Sequence, residues 1–126
     1  MRALTLRQPW AGLIIDGCKD IENRHSRTLI RERIAIHAGL GWDDPDARAH
    51  RFRVPWTAHQ WLAGCIIGTV RIVDSVENSR SKWALPGCHH WVLDDPMPLK
   101  QPIPFKGSLG FFYVPDEWFP RRHLLG

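Results

Sequence analysis

Long apolar runs are missing from this 126-residue chain: none exceeds four residues, where a membrane span needs roughly 18 or more. The opening residues, Met1-Arg2-Ala3-Leu4-Thr5-Leu6-Arg7-Gln8, hold no apolar region of the kind that starts a secretory signal, so none is expected. Cysteine is scarce. Cys18, Cys65 and Cys88 make an odd count with no CxxC spacing, which argues against a disulfide framework and for a reducing, cytoplasmic setting. Internal repeats and low-complexity blocks are absent as well. Lysine is the rarer base, four against thirteen arginines.

A sizeable core is within reach, because 44% of the residues are hydrophobic and only 24% are charged. One domain spanning residues 1–126 is expected, and intrinsic disorder is not. The net charge of +4 is mild. The kind of base says more than the sum: arginine offers a planar fork that matches phosphate and stacks on bases. Seven tryptophans accompany it, and aromatic rings with arginine are the usual equipment for single-stranded nucleic acid. A GC-rich genome and a tryptophan-rich core would give the same composition, so composition alone does not decide.

Periodicity supplies the elements. Residues 3–6 alternate as a strand; Gln8-Pro9 opens a helix whose face is Trp10, Leu13 and Ile14, and Gly17 ends it. Residues 20–24 and 33–38 read as strands, Asp43-Asp44-Pro45 as a helix start, and Thr57 as the cap of a short turn through Trp61. Residues 65–76 form the clearest strand. Its even positions are apolar apart from Asp74, which is therefore expected inward or on a cleft floor, paired with a base or a hydroxyl. Residues 77–88 are the longest candidate loop, and 90–94 and 109–114 are further strands. Pro96, Pro98, Pro102 and Pro104 confine the stretch between them to an edge. A short basic tail from about residue 116 is expected to be mobile.

The densest signal is Gln8-Pro9-Trp10-Ala11, a short helix, then Gly17-Cys18-Lys19-Asp20-Ile21-Glu22-Asn23-Arg24. This resembles the ASCH domain family, whose members carry Q-P-W-A followed by G-x-K-x-x-E-x-R. The resemblance continues through Ile36-His37-Ala38-Gly39, residues 68–74, Trp91-Val92-Leu93, Pro102-Ile103-Pro104 and residues 107–110. It implies an α+β fold: a small PUA-like β-barrel of five or six strands with short helices covering its openings. It also implies a cleft beside the first helix lined by the G-x-K-x-x-E-x-R residues, and an RNA or nucleoside/nucleotide ligand. Related proteins are described as RNA-binding, as ribonucleases, or as amidohydrolases acting on N4-acetylcytidine.

The residues add their own argument. In a flat strand Glu22 and Arg24 share a face while Lys19 has the opposite parity. All three converge only if Lys19 belongs to the turn after Gly17 or the strand bulges. Glu22 and Arg24 would then pair, leaving Lys19 free to anchor a phosphate or carry a proton. The bland account is a cation at a helix C-terminus beside an ordinary strand pair. The candidate ligand-binding residues are Lys19, Glu22, Arg24, Gln8, Trp10 and His37; the candidate catalytic ones are Lys19, Glu22 and Asp74.

Trp10 also reads as core, and His37 equally as a hydrogen-bonded strand-end residue. Cys88-His89-His90 lacks a second pair at zinc spacing, so neither a metal nor a cofactor is expected. Arg48, His50, Arg51 and Arg53 read as a solvated helix face or a phosphate-tracking surface. Trp83 and Trp91 could stack a base or fill the core. Three functions stay open: binding of single-stranded RNA or a modified nucleoside, hydrolysis in the same cleft, and a protein-interaction adaptor. For the amidohydrolase branch, Glu22 stands where the resemblance calls for Thr. No membrane partner is expected, and the default oligomeric state is a monomer.

Overall fold

The computed structural model describes residues 1–43 and 57–125. Asp44-Pro45 and the basic stretch Arg48–Arg53, with the helix expected there, lie outside the described residues. Six strands form one mixed sheet: β1 (Arg2–Gln8), β2 (Ile21–Arg24), β3 (Arg33–Trp42), β4 (Cys65–Val76), β5 (His89–Pro104) and β6 (Phe111–Tyr113), in the order β2-β5-β4-β3-β1-β6. The β1–β3 pair is parallel and the other ladders antiparallel. One α-helix, α1 (Trp10–Ile15), follows β1, and short 3-10 turns cover 58–61, 116–118 and 121–123.

The expected closed barrel is not what the hydrogen bonds form. β2 and β6 are the two edges of the ladder and do not pair with each other. The sheet nevertheless curls. Trp91 on β5 stacks on Phe111 of β6, with ring centroids 5.7 Å apart and planes 8° apart. The inside of the curl is filled by Leu4, Leu6, Ile34, Ile36, Ile67, Val70, Ile72 and Leu93. An open seam therefore runs between the two edges.

Several elements differ from their sequence reading for identifiable reasons. All six residues of α1 are buried, not only its expected face, because the helix lies between the sheet and the turn at 58–61. Ala11, Ile14 and Ile15 join the sheet core, while Trp10 and Leu13 pack with Ile21 and Trp83. In β4, residues 65–70 are buried on both parities. The second face meets a satellite core of Ala3, Ala35, Ile66, Leu99, Val114 and Phe119. The tail expected to be mobile supplies part of that cover: Phe119 and His123 are buried and the tail is folded into two 3-10 turns.

The prolines of β5 sit as their chemistry demands. Residues 97–104 pair with β4 on one side only, because β2 reaches no further than Val92. That leaves a free edge where an absent N–H costs nothing.

Asp74 is the clearest correction. Pairing runs Ile72↔Leu93 and then Asp74↔Val92, so Val73 is an extra residue in β4. The bulge reverses the parity beyond Ile72. Asp74 is exposed, ion-pairs with Arg31 at 3.6 Å and accepts a hydrogen bond from the Ser75 amide. It is neither inward nor on a cleft floor.

Candidate functional site

Gly17, at φ +82°, turns the chain back at the end of α1. The amides of Cys18 and Lys19 both donate to the Leu13 carbonyl, at 2.9 and 3.0 Å. Lys19 therefore belongs to the turn, and β2 begins two residues later. Within β2 the pleat puts Ile21 in the core, while Glu22 and Arg24 share the face turned to the seam. Asn23 binds the 77–88 loop, donating to the Trp83 carbonyl at 3.0 Å and accepting from the Leu85 amide at 2.9 Å. The motif strand is thus held by its ladder with β5 and by this amide clamp.

A cleft of about 470 Å³ opens here, within the range that accommodates small-molecule ligands. Its walls are β1 (Thr5, Leu6, Arg7) and the Lys19–His25 segment, closed by Trp10 and Asp43. Strands β1 and β2 are separated by three strands in the sheet, so the curl alone brings them together.

Glu22 organises the charges. One carboxylate oxygen accepts from Arg24 Nε at 2.9 Å, and the other lies 3.6 Å from Lys19 Nζ. Lys19 is 5% exposed, donates to the Ile21 carbonyl and lies 5.8 Å from the Trp10 ring centroid. The expectation that Glu22 pairs with Arg24 alone and leaves Lys19 free is therefore corrected: Glu22 bridges both cations. Arg24 lies 5.5 Å from the Trp91 ring. Among the described residues its two terminal nitrogens have no protein acceptor, whereas its Nε is taken by Glu22.

Trp10 lines the cleft and donates its indole N–H to Asp43 Oδ2 at 2.7 Å. Asp43 Oδ1 lies 3.6 Å from Arg7. Asp43, Arg7 and His25 are cleft residues that the sequence reading did not single out as site residues. Asp43 carried a signal, an Asp-Asp-Pro run, but that run serves equally as a helix start. His25 directly follows the motif, where only its position past the strand end turns it to the seam.

Gln8 and His37 are placed elsewhere. Gln8 is fully buried; its side chain donates to the carbonyls of His59 and Leu62 at 2.8 and 3.0 Å and accepts from the Gly12 amide at 2.9 Å. It ties α1 to the 58–61 turn and does not line the cleft. His37 lies under Phe105 and Phe112, with Nε2 2.6 Å from the Phe105 carbonyl. A carbonyl only accepts, so Nε2 carries the proton. In the neutral ring Nδ1 then accepts from the Thr5 hydroxyl at 3.2 Å. Thr5 lines the cleft; His37 does not. β3 runs on to Trp42, so His37 does not end the strand, and it shares its face with Ala35, opposite the face of Ile34, Ile36 and Ala38 that fills the curl.

Trp83 and Trp91 are buried and donate to the carbonyls of Cys18 and Ser26, at 2.8 and 2.9 Å. His90 has both ring nitrogens engaged within the neighbouring loop, at the Leu85 carbonyl and the Ser79 amide. Among the described residues no helix is long and apolar enough to cross a membrane.

The family model of the ASCH domain matches residues 4–93. The fold is similar to that of the crystal structure of ASCH from Zymomonas mobilis, at 16% identity and a TM-score of 0.61, covering 98% of this chain and 92% of that one. Two mutant forms of that protein are also similar. One is a tyrosine-to-phenylalanine mutant, at 18% identity and a TM-score of 0.59, covering 92% of this chain and 91% of the other. The second is a serine-to-alanine mutant, at 17% identity and a TM-score of 0.57, covering 92% and 89%. No curated protein matches the sequence significantly.

Proposed function

Because the chain belongs to the ASCH domain family, we propose that it binds a nucleoside unit of RNA in the Lys19/Glu22/Arg24 cleft. The observation that carries this reading is the bridged carboxylate. Glu22, held between two cations, presents Arg24's unused donors at a fixed place on the cleft wall. Asp43, Arg7 and the Thr5 side of β1 form the opposite wall, so both acids and bases border the cleft. A planar base with both donors and acceptors on its edge suits such a mixed rim.

Binding is favoured over hydrolysis in the same cleft. Both Glu22 oxygens already face cations, which leaves them poorly placed to take a proton from a substrate. Asp74, one of the carboxylates the hydrolytic reading could draw on, is exposed and paired with Arg31 away from the cleft lining. An adaptor role has no feature of its own in its favour here.

The test is Arg24→Ala assayed against the four ribonucleosides and short single-stranded RNA, by thermal shift and equilibrium binding. Arg24 is part-exposed, so the variant should fold and lose at least about tenfold in affinity. Binding equal to the parent's would overturn the reading. Product formation by the parent would return weight to hydrolysis.

A further inference from the structure

The geometry points to an oligonucleotide, not a lone nucleoside, as the ligand, with the neighbouring nucleotide held in a second cleft further along the seam. This inference rests on the reading that the first cleft binds a nucleoside unit. The second cleft, of about 400 Å³, lies between the 24–28 segment and the start of β6. It shares Arg24 and His25 with the first, so the two adjoin at these residues.

Their linings differ in kind. The first cleft mixes acids and bases, with Glu22 and Asp43 among its walls. The second holds no carboxylate among its lining residues; its charged groups are Arg24 and Arg27, beside His25. Arg27 and His25 are exposed and have no protein partner among the described residues. Behind them lies an apolar floor of Leu4 and the stacked Trp91–Phe111 pair.

A mixed rim reads an edge with donors and acceptors, whereas two guanidiniums over an aromatic floor suit a phosphate followed by a stacked base. The junction of the clefts falls at Arg24. Its Nε is fixed by Glu22 while its terminal nitrogens lack an acceptor. A phosphodiester there would receive those donors, with one nucleoside on either side.

The experiment compares dissociation constants of the four ribonucleosides, their dinucleotides and the corresponding deoxydinucleotides, for the parent, Arg27→Ala and Arg27→Glu. For the base the first cleft prefers, the dinucleotide should bind about tenfold or more tightly than the nucleoside. Arg27→Ala should remove most of that gain, and Arg27→Glu all of it, with nucleoside affinity unchanged. A gain shared with the deoxydinucleotide supports the proposal through phosphate and base alone; one confined to RNA supports it with an added 2′-hydroxyl contact. Equal affinity for nucleoside and dinucleotide would overturn the second cleft while leaving the first intact. So would a gain that survives both substitutions. Failure of every nucleoside and dinucleotide to bind the parent would instead remove the reading of the first cleft, and this inference with it.

Discussion

Lys19 is a buried cation at a place in the chain where a lysine is usually solvated. A lysine in a turn after a helix ordinarily points to water, and its removal costs little. Here it is 5% exposed beside Glu22 and the Trp10 ring. Lys19→Ala would leave a part-buried carboxylate with Arg24 as its remaining cation and would open space beside Trp10. The expected loss in urea denaturation is about 1–3 kcal/mol; a loss under about 0.5 kcal/mol would contradict the bridged arrangement. Glu22→Gln should cost more than Lys19→Ala, because it removes the counter-charge from two cations at once. A smaller loss for Glu22→Gln, measured in the same way, would show that Glu22 is not the organising group.

At the scale of elements, close approach matters more than propensity. A Cβ at Gly12 would sit 2.6 Å from the Gln60 amide nitrogen and 2.8 Å from its Cα. These are backbone atoms that cannot rotate away, so α1 would be pushed off the 58–61 turn. Gly12→Ala should therefore destabilise by about 1–3 kcal/mol despite alanine's better helix propensity. A melting temperature at or above the parent's would contradict this packing.

The same scale shows how far a single sequence can be read. β1, α1 and the span of β4 were legible because periodicity and the Gly17 stop are local signals. The convergence of Lys19, Glu22 and Arg24 was legible because strand parity allows only a turn or a bulge. Asp74 is misplaced because the bulge residue Val73 precedes it, and an extra residue leaves no mark on the strand's own alternation. His37 is misplaced because β3 is covered on both faces along residues 33–38, so alternation does not tell which face meets the cleft. Gln8 was read as a site residue because it belongs to the motif. Its role, holding three backbone groups of α1 and the 58–61 turn, depends on a contact about fifty residues away.

For the whole molecule, the decisive features are the curl and the docked tail, and both rest on contacts between distant parts of the chain. His123, in the tail, is buried against Thr69 and shares that hydroxyl with Arg33. Burial, then Arg122 and Arg33, hold its pKa below the ordinary 6.5. The unfolded chain therefore takes up the proton first as pH falls. Stability from this group is full above about pH 6.5 and declines as pH drops through the lower folded value. Thermal melts from about pH 7.5 to 5 should show that decline, and His123→Gln should flatten it. An identical pH profile in the variant would place the titrating group elsewhere.

If the open seam at β2 is the working surface, RNA must perturb the residues along it before any others. The most direct test is amide NMR of the ¹⁵N-labelled protein during titration with a short single-stranded RNA. The largest shift changes should fall on residues 19–25 and the Trp10 indole N–H, extending to Arg27 and Phe111. Changes concentrated instead in the separate cleft of Glu32, Asp116 and His123, or in the Arg48–Arg53 stretch, with the β2 amides unmoved, would rule that surface out.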